Sequence, residues 1–168
     1  MRRAGPAIAL ALVALSVAIG ASYYYASHNR PSGSDHSQCS DPDSILSHVY
    51  NPYRLQIIKS CIRASGVVDN ILQEADGDYH VRLALDSQYS NLTNNANDQY
   101  QNYELVVEII CALPVTQPGA AVSACQNYTN NITIPSINHH ITVTGPYVLD
   151  TSHNNWAEIH PVRTLTIS

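Results

Sequence analysis

Within residues 39–168, hydrophobic residues fall largely into five segments that are rich in β-branched and other apolar side chains and are separated by polar or turn-forming residues. The segments cover residues 55–72, 79–86, 104–111, 140–143 and 156–159. Short apolar or alternating runs bounded by Gly, Pro, Asn and Asp are typical of β-strands. The first segment is long and contains Gly66, which predicts a bulge or a sharp coil within the strand.

The second segment has the clearest alternation of apolar and polar side chains. A strand here directs one set inward, namely Val81, Leu83 and Leu85. It directs the other set outward, namely His80, Arg82, Ala84 and Asp86. Asp76-Gly77, just before this strand, is typical of a tight hairpin turn.

Short helices are predicted around the strands. Asp41-Pro42 is a typical helix start, and Asn51-Pro52 ends that helix. Residues 119–125 form a second short helix, and residues 87–103 form a polar loop.

A long kinked strand, two further strands, a helical connection and a closing pair follow the order of an OB-fold. A β-sandwich would need about seven strands. We therefore predict an all-β, five-stranded OB-like Greek-key barrel with short helical segments, preceded by an N-terminal hydrophobic helix.

The N-terminal segment, residues 4–27, has no formal charge and follows Arg2 and Arg3. As a helix it would span roughly 36 Å, enough to cross the hydrocarbon core of a membrane. It is either a retained anchor or a signal peptide cleaved near Gly20. In either case the rest of the chain is predicted to be exported. It consists of a flexible linker over residues 28–38 and an OB-like domain over residues 39–168. The predicted location is extracytoplasmic, on the outer face of the cytoplasmic membrane, or secreted if the leader is cleaved.

The cysteines indicate an oxidising compartment. They are Cys39, Cys61, Cys111 and Cys125, and no two form a C-x-x-C pair. An even number of separated cysteines in an exported domain favours disulfides over a zinc ribbon. Of the three possible pairings we favour Cys111–Cys125, which closes a short loop, with Cys39–Cys61, which ties the arriving chain to the first strand.

Charge and sequons bear on the choice of partners. From Cys39 onward the chain has five basic and twelve acidic residues. Nucleic-acid binding is not expected, because it depends on Lys and Arg that neutralise phosphates. Three N-x-S/T sequons, which are either glycosylated or unused in polar loops, begin at Asn91, Asn127 and Asn131.

Two motifs resemble those of a known group of proteins. Residues 76–80 read D-G-D-Y-H, and residues 153–162 read H-N-N-W-A-E-I-H-P-V. Together they resemble an uncharacterised prokaryotic family of small OB-fold-like domains whose ends read D-G-D-x-H and H-G-W-x-E-I-H-P-V. The resemblance extends over residues 54–167, with Asn154-Asn155 where the family often has a single Gly. It implies an OB-like fold and no established activity.

The candidate ligand-binding or metal-binding residues are His80, His153, Glu158 and His160. Glu158 and His160 are two positions apart on a strand and share a face. In an OB barrel the last strand pairs with the first and the first with the second, which would bring His80 near His160. Two imidazoles and a carboxylate are adequate ligands for zinc or another divalent ion. The alternative, which we favour, is a hydrogen-bonded cluster that fixes the turns and requires no cofactor.

The function predicted from these observations is a non-enzymatic binding or assembly module outside the cytoplasm. No nucleophile elbow or other convincing set of catalytic residues is found in the sequence. The membrane is one partner, through the N-terminal helix, and a protein or cell-surface glycan is another. Three tyrosines in or beside the polar loop suit such a surface, namely Tyr89, Tyr100 and Tyr103. The alternative is a metal-dependent hydrolase that uses a His/Glu cluster.

Overall fold

The computed structural model describes Cys39 and residues 45–168, which belong to one unit spanning His36–Ser168. The strands are β1 (Leu55–Gln73), β2 (Tyr79–Leu85), β3 (Leu105–Ile109), β4 (His140–Asp150), β5 (Trp156–Ile159) and β6 (Thr164–Ile167). The α-helices are α1 (Asn95–Tyr100) and α2 (Ala120–Ala124). Further 3-10 helices span Ile45–His48, Pro52–Arg54 and Ser87–Leu92.

Several predicted segments lie outside the described residues. These are the hydrophobic helix over residues 4–27, the linker over residues 28–38 and the helix start at Asp41-Pro42. Within residues 45–168, no helix has both the length and the apolar character needed to cross a membrane.

The described strands form one sheet of six, one more than predicted. β1 pairs antiparallel with β2 and also with β4, and β2 pairs antiparallel with β3. β3 runs parallel to β5, which pairs antiparallel with β4, and β4 also pairs with β6. The predicted pairing of the strand at residues 156–159 with the first strand is therefore wrong. β5 lies between β3 and β4, because β4 occupies the edge of β1.

Gly66 lies where β1 has a neighbouring strand on both sides. It pairs with Leu85 of β2 and with Ile141 of β4. A Cβ atom at this position would overlap the backbone of Ala84. The glycine thus permits a close approach of the β1 and β2 backbones. The ladder between β1 and β2 is irregular a few residues further on, between Val68 and Asn70.

β4 continues beyond its predicted end. The sequence predicts that this strand stops at Val143, but it runs through Gly145-Pro146 to Asp150. The ladder with β1 is irregular opposite Pro146, so the missing N–H of proline costs no regular pairing there. A Cβ at position 145 would overlap the carbonyl group of Pro161, so glycine allows β4 to approach the segment that follows β5.

The polar segment at residues 87–103 contains helices that its composition does not predict. Asn94 caps α1, because its side chain accepts hydrogen bonds from the backbone N–H groups of Ala96 and Asn97. The side chain of Asn97 is fully buried and bonds to both the N–H and the C=O of Ala157 in β5. A tertiary contact, rather than helix propensity, thus holds this short helix in place.

The apolar core lies on one face of the central strands. Val81 and Leu83 of β2, Val107 of β3 and Ile159 of β5 are fully buried in it, and Leu85 packs against it. The predicted inward set of β2 therefore faces the core.

Both predicted disulfides are present. One bond joins Cys125, directly after α2, to Cys111, just beyond β3. The other joins Cys39 to Cys61 within β1. Such bonds are typical of oxidising compartments.

Candidate ligand-binding site

Three neighbouring strands direct a set of polar side chains away from the core. His80 of β2 pairs with Glu108 of β3, and the parallel ladder places Val106 of β3 opposite Glu158 of β5. Because side chains alternate along a strand, Glu108 and His160 extend the same face. The structure thus brings His80, Glu158 and His160 to one region, and Glu108 joins them.

His80 is buried, which corrects its predicted outward exposure. Its Nδ1–H donates to Glu108 Oε1 at 2.8 Å, and its Nε2–H donates to Gln101 Oε1 at 3.1 Å. Arg82 Nε also donates to Gln101 Oε1, so that atom is an acceptor and both His80 nitrogens carry a proton. Burial alone would lower the pKa of His80, but the hydrogen bond and charge of Glu108 raise it to about 9. His80 and Glu108 therefore form a buried ion pair.

Glu158 and His160 form a second buried ion pair. The His160 Nδ1–H donates to Glu158 Oε2 at 3.0 Å, and the indole N–H of Trp156 donates to Glu158 Oε1. Burial alone would raise the pKa of Glu158 and lower that of His160. Their mutual hydrogen bond and charges instead hold the pKa of Glu158 below its ordinary value and that of His160 above it. The other imidazole nitrogen of His160, Nε2, is buried and has no hydrogen-bond partner among the described residues.

The hairpin between β1 and β2 contributes further acidic groups. Asp76-Gly77 lies in this turn, as predicted, and Gly77 has a φ of 98°, which favours glycine. Asp78 is buried, and its Oδ1 accepts the backbone N–H of Cys111 at 2.7 Å. Burial and the neighbouring charge of Asp76 raise the pKa of Asp78 to about 8. This carboxyl group therefore holds its proton at neutral pH.

His153 projects from the turn between β4 and β5 and stacks on the indole of Trp156. The two ring centroids are 4.9 Å apart, and the ring planes differ by 4°. The His153 Nδ1–H donates to Asp150 Oδ2 at 2.8 Å, and Arg54 forms an ion pair with the same buried carboxylate. These contacts hold His153 beside Trp156, although about half of its side chain remains exposed.

The polar groups line a cavity of about 430 Å³. Six carboxyl groups line it, namely Glu74, Asp76, Asp78, Glu108, Asp150 and Glu158. The basic side chains in the lining are Arg54, His80 and His153, each of which contacts one of these carboxylates. Burial, together with the charge of Glu108, raises the pKa of Glu74. Asp78 holds its proton, and His160 pairs with Glu158, so Glu74 and Asp76 are the lining groups without a basic partner among the described residues. Such unpaired acidic groups attract cations.

One subset of these residues has the geometry of a metal-ligand set. Glu108, Glu158 and His160 are buried, and each offers a ligand atom within 4.8 Å of the other two. The predicted candidates His80 and His153 are not members of this set. His80 contacts it through the hydrogen bond that it donates to Glu108. A second cluster, around Asp78, includes Cys111 and Cys125 and is not a ligand set because both sulfur atoms form a disulfide.

Sequence reasoning missed Glu108, which links the two ion pairs in space. The available signal was a single carboxylate within the apolar run of residues 105–110. A buried charge of this kind requires a partner. Gln101 and Asp150 were also missed, because their partners come from distant parts of the chain.

The remaining predicted surface residues lie apart from this cavity. Tyr100 and Tyr103 are exposed as predicted, whereas Tyr89 is partly buried against the core. The asparagines of the three sequons are all exposed, namely Asn91, Asn127 and Asn131.

Comparison with known proteins adds no relative from which a ligand could be inferred. No protein-family model, no curated protein and no solved structure matches this chain.

Proposed function

We propose that this protein is a non-enzymatic binding module outside the cytoplasm and that its acidic cavity receives a positively charged ligand. The observation that carries the proposal is the composition of the cavity lining. Six carboxyl groups line the cavity, of which Asp78 holds its proton and three are paired with basic side chains. Glu74 and Asp76 have no ion-pair partner among the described residues. A cation entering the cavity would therefore find acidic groups that internal ion pairs do not neutralise.

An OB-like barrel is the fold that we propose for this module. The pairings β1–β2, β2–β3, β3–β5, β5–β4 and β4–β1 return to the starting strand, which supports a closed arrangement of five strands. β6 pairs with β4 alone and would extend beyond that ring. In this arrangement the cavity lies on the outer side of β2, β3 and β5, opposite the apolar core.

The extracytoplasmic location is supported by two disulfides and by the apolar segment at residues 4–27. That segment would either anchor the protein in the membrane or direct its secretion. Exposed sequons and exposed tyrosines are compatible with a glycosylated surface that contacts a protein or a cell-surface glycan.

Isothermal titration calorimetry of the full chain tests the cation-binding proposal. The probes are spermidine, a lysine-rich peptide and divalent metal chlorides. Because the pKa of Asp78 is about 8, a cation that binds beside it should displace a proton, and the measured heat should depend on the buffer's ionisation enthalpy. Asp76→Asn should weaken binding several-fold, whereas Asp98→Asn, an equal change of charge at an exposed position of α1, should not. Absence of binding by every cation would contradict the proposal.

A metal-dependent hydrolase is the second candidate. It is favoured by the placement of Asp78, a carboxyl group that stays protonated near neutral pH, in the same cavity as two histidines. A positioned carboxylic acid can protonate a leaving group. Hydrolysis of phosphodiester, phosphomonoester and peptide substrates, lost in Asp78→Asn while cation binding persists, would support this candidate over a binding module.

A further inference from the structure

We propose that the cavity binds a divalent transition-metal ion through Glu108, Glu158 and His160. This inference rests on the proposed function and specifies the chemical class of the cation. In this site Glu108 is a metal ligand, and His80, which donates a hydrogen bond to Glu108, is a positioning residue.

The distances between the three ligand groups suit a single ion. Ligand atoms about 2.0–2.2 Å from one ion can lie at most about 4.4 Å apart, and neighbouring ones lie roughly 3.0–3.4 Å apart. One ligand atom from each of Glu108, Glu158 and His160 lies within 4.8 Å of the other two. Binding of an ion would require the side chains to close from within 4.8 Å to the roughly 3.0–3.4 Å spacing of neighbouring ligands.

His160 provides an observation independent of the carboxylates. Its Nε2 atom is buried without a hydrogen-bond partner among the described residues. Burial of an unsatisfied polar atom is costly, and the cost is offset when the ring binds a ligand. The imidazole thus has bonding capacity beyond its contact with Glu158: Nε2 would release its proton to solvent and bind the ion, while Nδ1–H stays bonded to Glu158.

The surrounding residues hold both carboxylates in position. The Trp156 indole N–H donates to Glu158, and His80 donates to Glu108. His80 is itself held by Gln101, which also accepts a hydrogen bond from Arg82. Hydrogen bonds of this kind orient metal ligands, and their loss typically lowers metal affinity by about 10–100-fold.

The ligand chemistry favours a transition metal over Ca²⁺ or Mg²⁺. Imidazole suits Zn²⁺, Fe²⁺ and Co²⁺, whereas Ca²⁺ and Mg²⁺ prefer oxygen ligands alone. Glu108 and Glu158 both line the cavity, so an ion held by them would face it. Three protein ligands leave coordination positions open to water or to a further ligand.

Titration of the full chain with Zn²⁺, and with Co²⁺ as a spectroscopic probe, tests this site. We expect one equivalent to bind and the Co²⁺ absorption bands to report nitrogen and oxygen ligands. Glu108→Gln and Glu158→Gln should each weaken binding by about 100-fold or more, and His80→Gln by about 10–100-fold. Asp76→Asn removes a charge from the same cavity without removing a ligand, so it should cost only a few-fold. Circular dichroism checks folding, and if Glu158→Gln does not fold, Glu108→Gln still decides the question.

The outcomes separate this inference from the proposed function. The metal site is disproved if no transition metal binds, if Asp76→Asn weakens binding as much as Glu108→Gln, or if the ligand variants bind normally. The last result would place the ion elsewhere, for instance on the histidines of residues 28–36. If spermidine or the lysine-rich peptide still binds in an Asp76-dependent manner, the acidic binding module stands without the metal. If no cation binds, both proposals fail.

Discussion

The two faces of strands β2, β3 and β5 are both buried but are stabilised in different ways. On one face Val81, Val107 and Ile159 pack into the apolar core. On the other face His80 and Glu108 form a buried polar pair. Apolar burial is roughly proportional to area and is not directional, whereas each buried charge depends on one particular partner. On the polar face, replacing both partners of an ion pair should therefore cost little stability. Replacing only one partner should destabilise the protein strongly.

The largest expected effect is the loss of one member of the pair Glu158–His160. Glu158→Leu leaves a buried imidazolium without its partner, so the free energy of unfolding should fall by about 3–5 kcal/mol. The double variant Glu158→Leu with His160→Leu removes both charges and should recover most of that loss, while Zn²⁺ binding stays absent. Urea denaturation measures both variants. A double variant as unstable as the single one would show that this pair is not stabilised as we describe.

A core substitution on the opposite face is expected to have a slightly smaller effect on stability and no direct effect on the cavity. Leu83→Ala leaves a hole in a fully buried site and should cost about 2–5 kcal/mol. Leu83→Met, which roughly conserves volume, should cost less than about 1.5 kcal/mol. Cation affinity, measured by calorimetry below the unfolding temperature, should be unchanged in both. A marked loss of affinity in the methionine variant would indicate that the two faces are coupled.

Removal of a disulfide tests the segment beside the polar face. Cys111 and Cys125 are separated by 14 residues, and Cys111 donates its N–H to Asp78 in the cavity lining. Replacing both cysteines by serine should lower the free energy of unfolding by about 3 kcal/mol, because the unfolded chain is less restricted. Denaturation with and without reductant provides the measurement. Equal stability of the variant and the oxidised protein would show that the loop is already restrained in the unfolded state.

A further expected effect is a dependence of stability on pH to which Asp78 and His80 of the polar face contribute. The pKa of Asp78 is 3.8 ordinarily and about 8 in the folded protein, and that of His80 is 6.5 ordinarily and about 9. Between each pair of values the folded state binds more protons than the unfolded state, so these groups make stability fall as pH rises. The contribution of Asp78 is fully present below about pH 4 and is lost by about pH 8; that of His80 is lost between about pH 6.5 and 9.

Asp78→Asn separates the two contributions. The variant should lose the decline assigned to Asp78 and keep the one assigned to His80 at higher pH. Calorimetric Tm values across the range decide the matter, with Leu83→Met as a control that should retain the full profile. An unchanged pH profile in Asp78→Asn would exclude this carboxyl group as a source of the dependence.

The elements that the sequence predicts well are those set by local pattern. Alternation in β2 places Val81 and Leu83 in the core, and Asp76-Gly77 forms the β1–β2 turn. The cysteine spacing likewise favours the two disulfides that form. Side-chain period and turn geometry depend on a few neighbouring residues, so a short window of sequence contains the necessary information.

The elements that it predicts poorly depend on contacts between distant residues. β4 passes through Gly145-Pro146 because the ladder with β1 is irregular there, and α1 is held by the contact of Asn97 with Ala157. The period of β2 places His80 opposite the core. His80 is nevertheless buried, because Gln101 and Glu108 pack against it on that side and bond to both of its ring nitrogens.

The candidate site divides in the same way. The sequence by itself determined that Glu158 and His160 share a face, because residues two apart on a strand always do. The tertiary structure alone decided that β5 lies beside β3, and therefore that Glu108 rather than a residue of β1 completes the group. Strand order is set by the packing of the whole sheet, and a buried carboxylate in an apolar run does not reveal its partner until that sheet has formed.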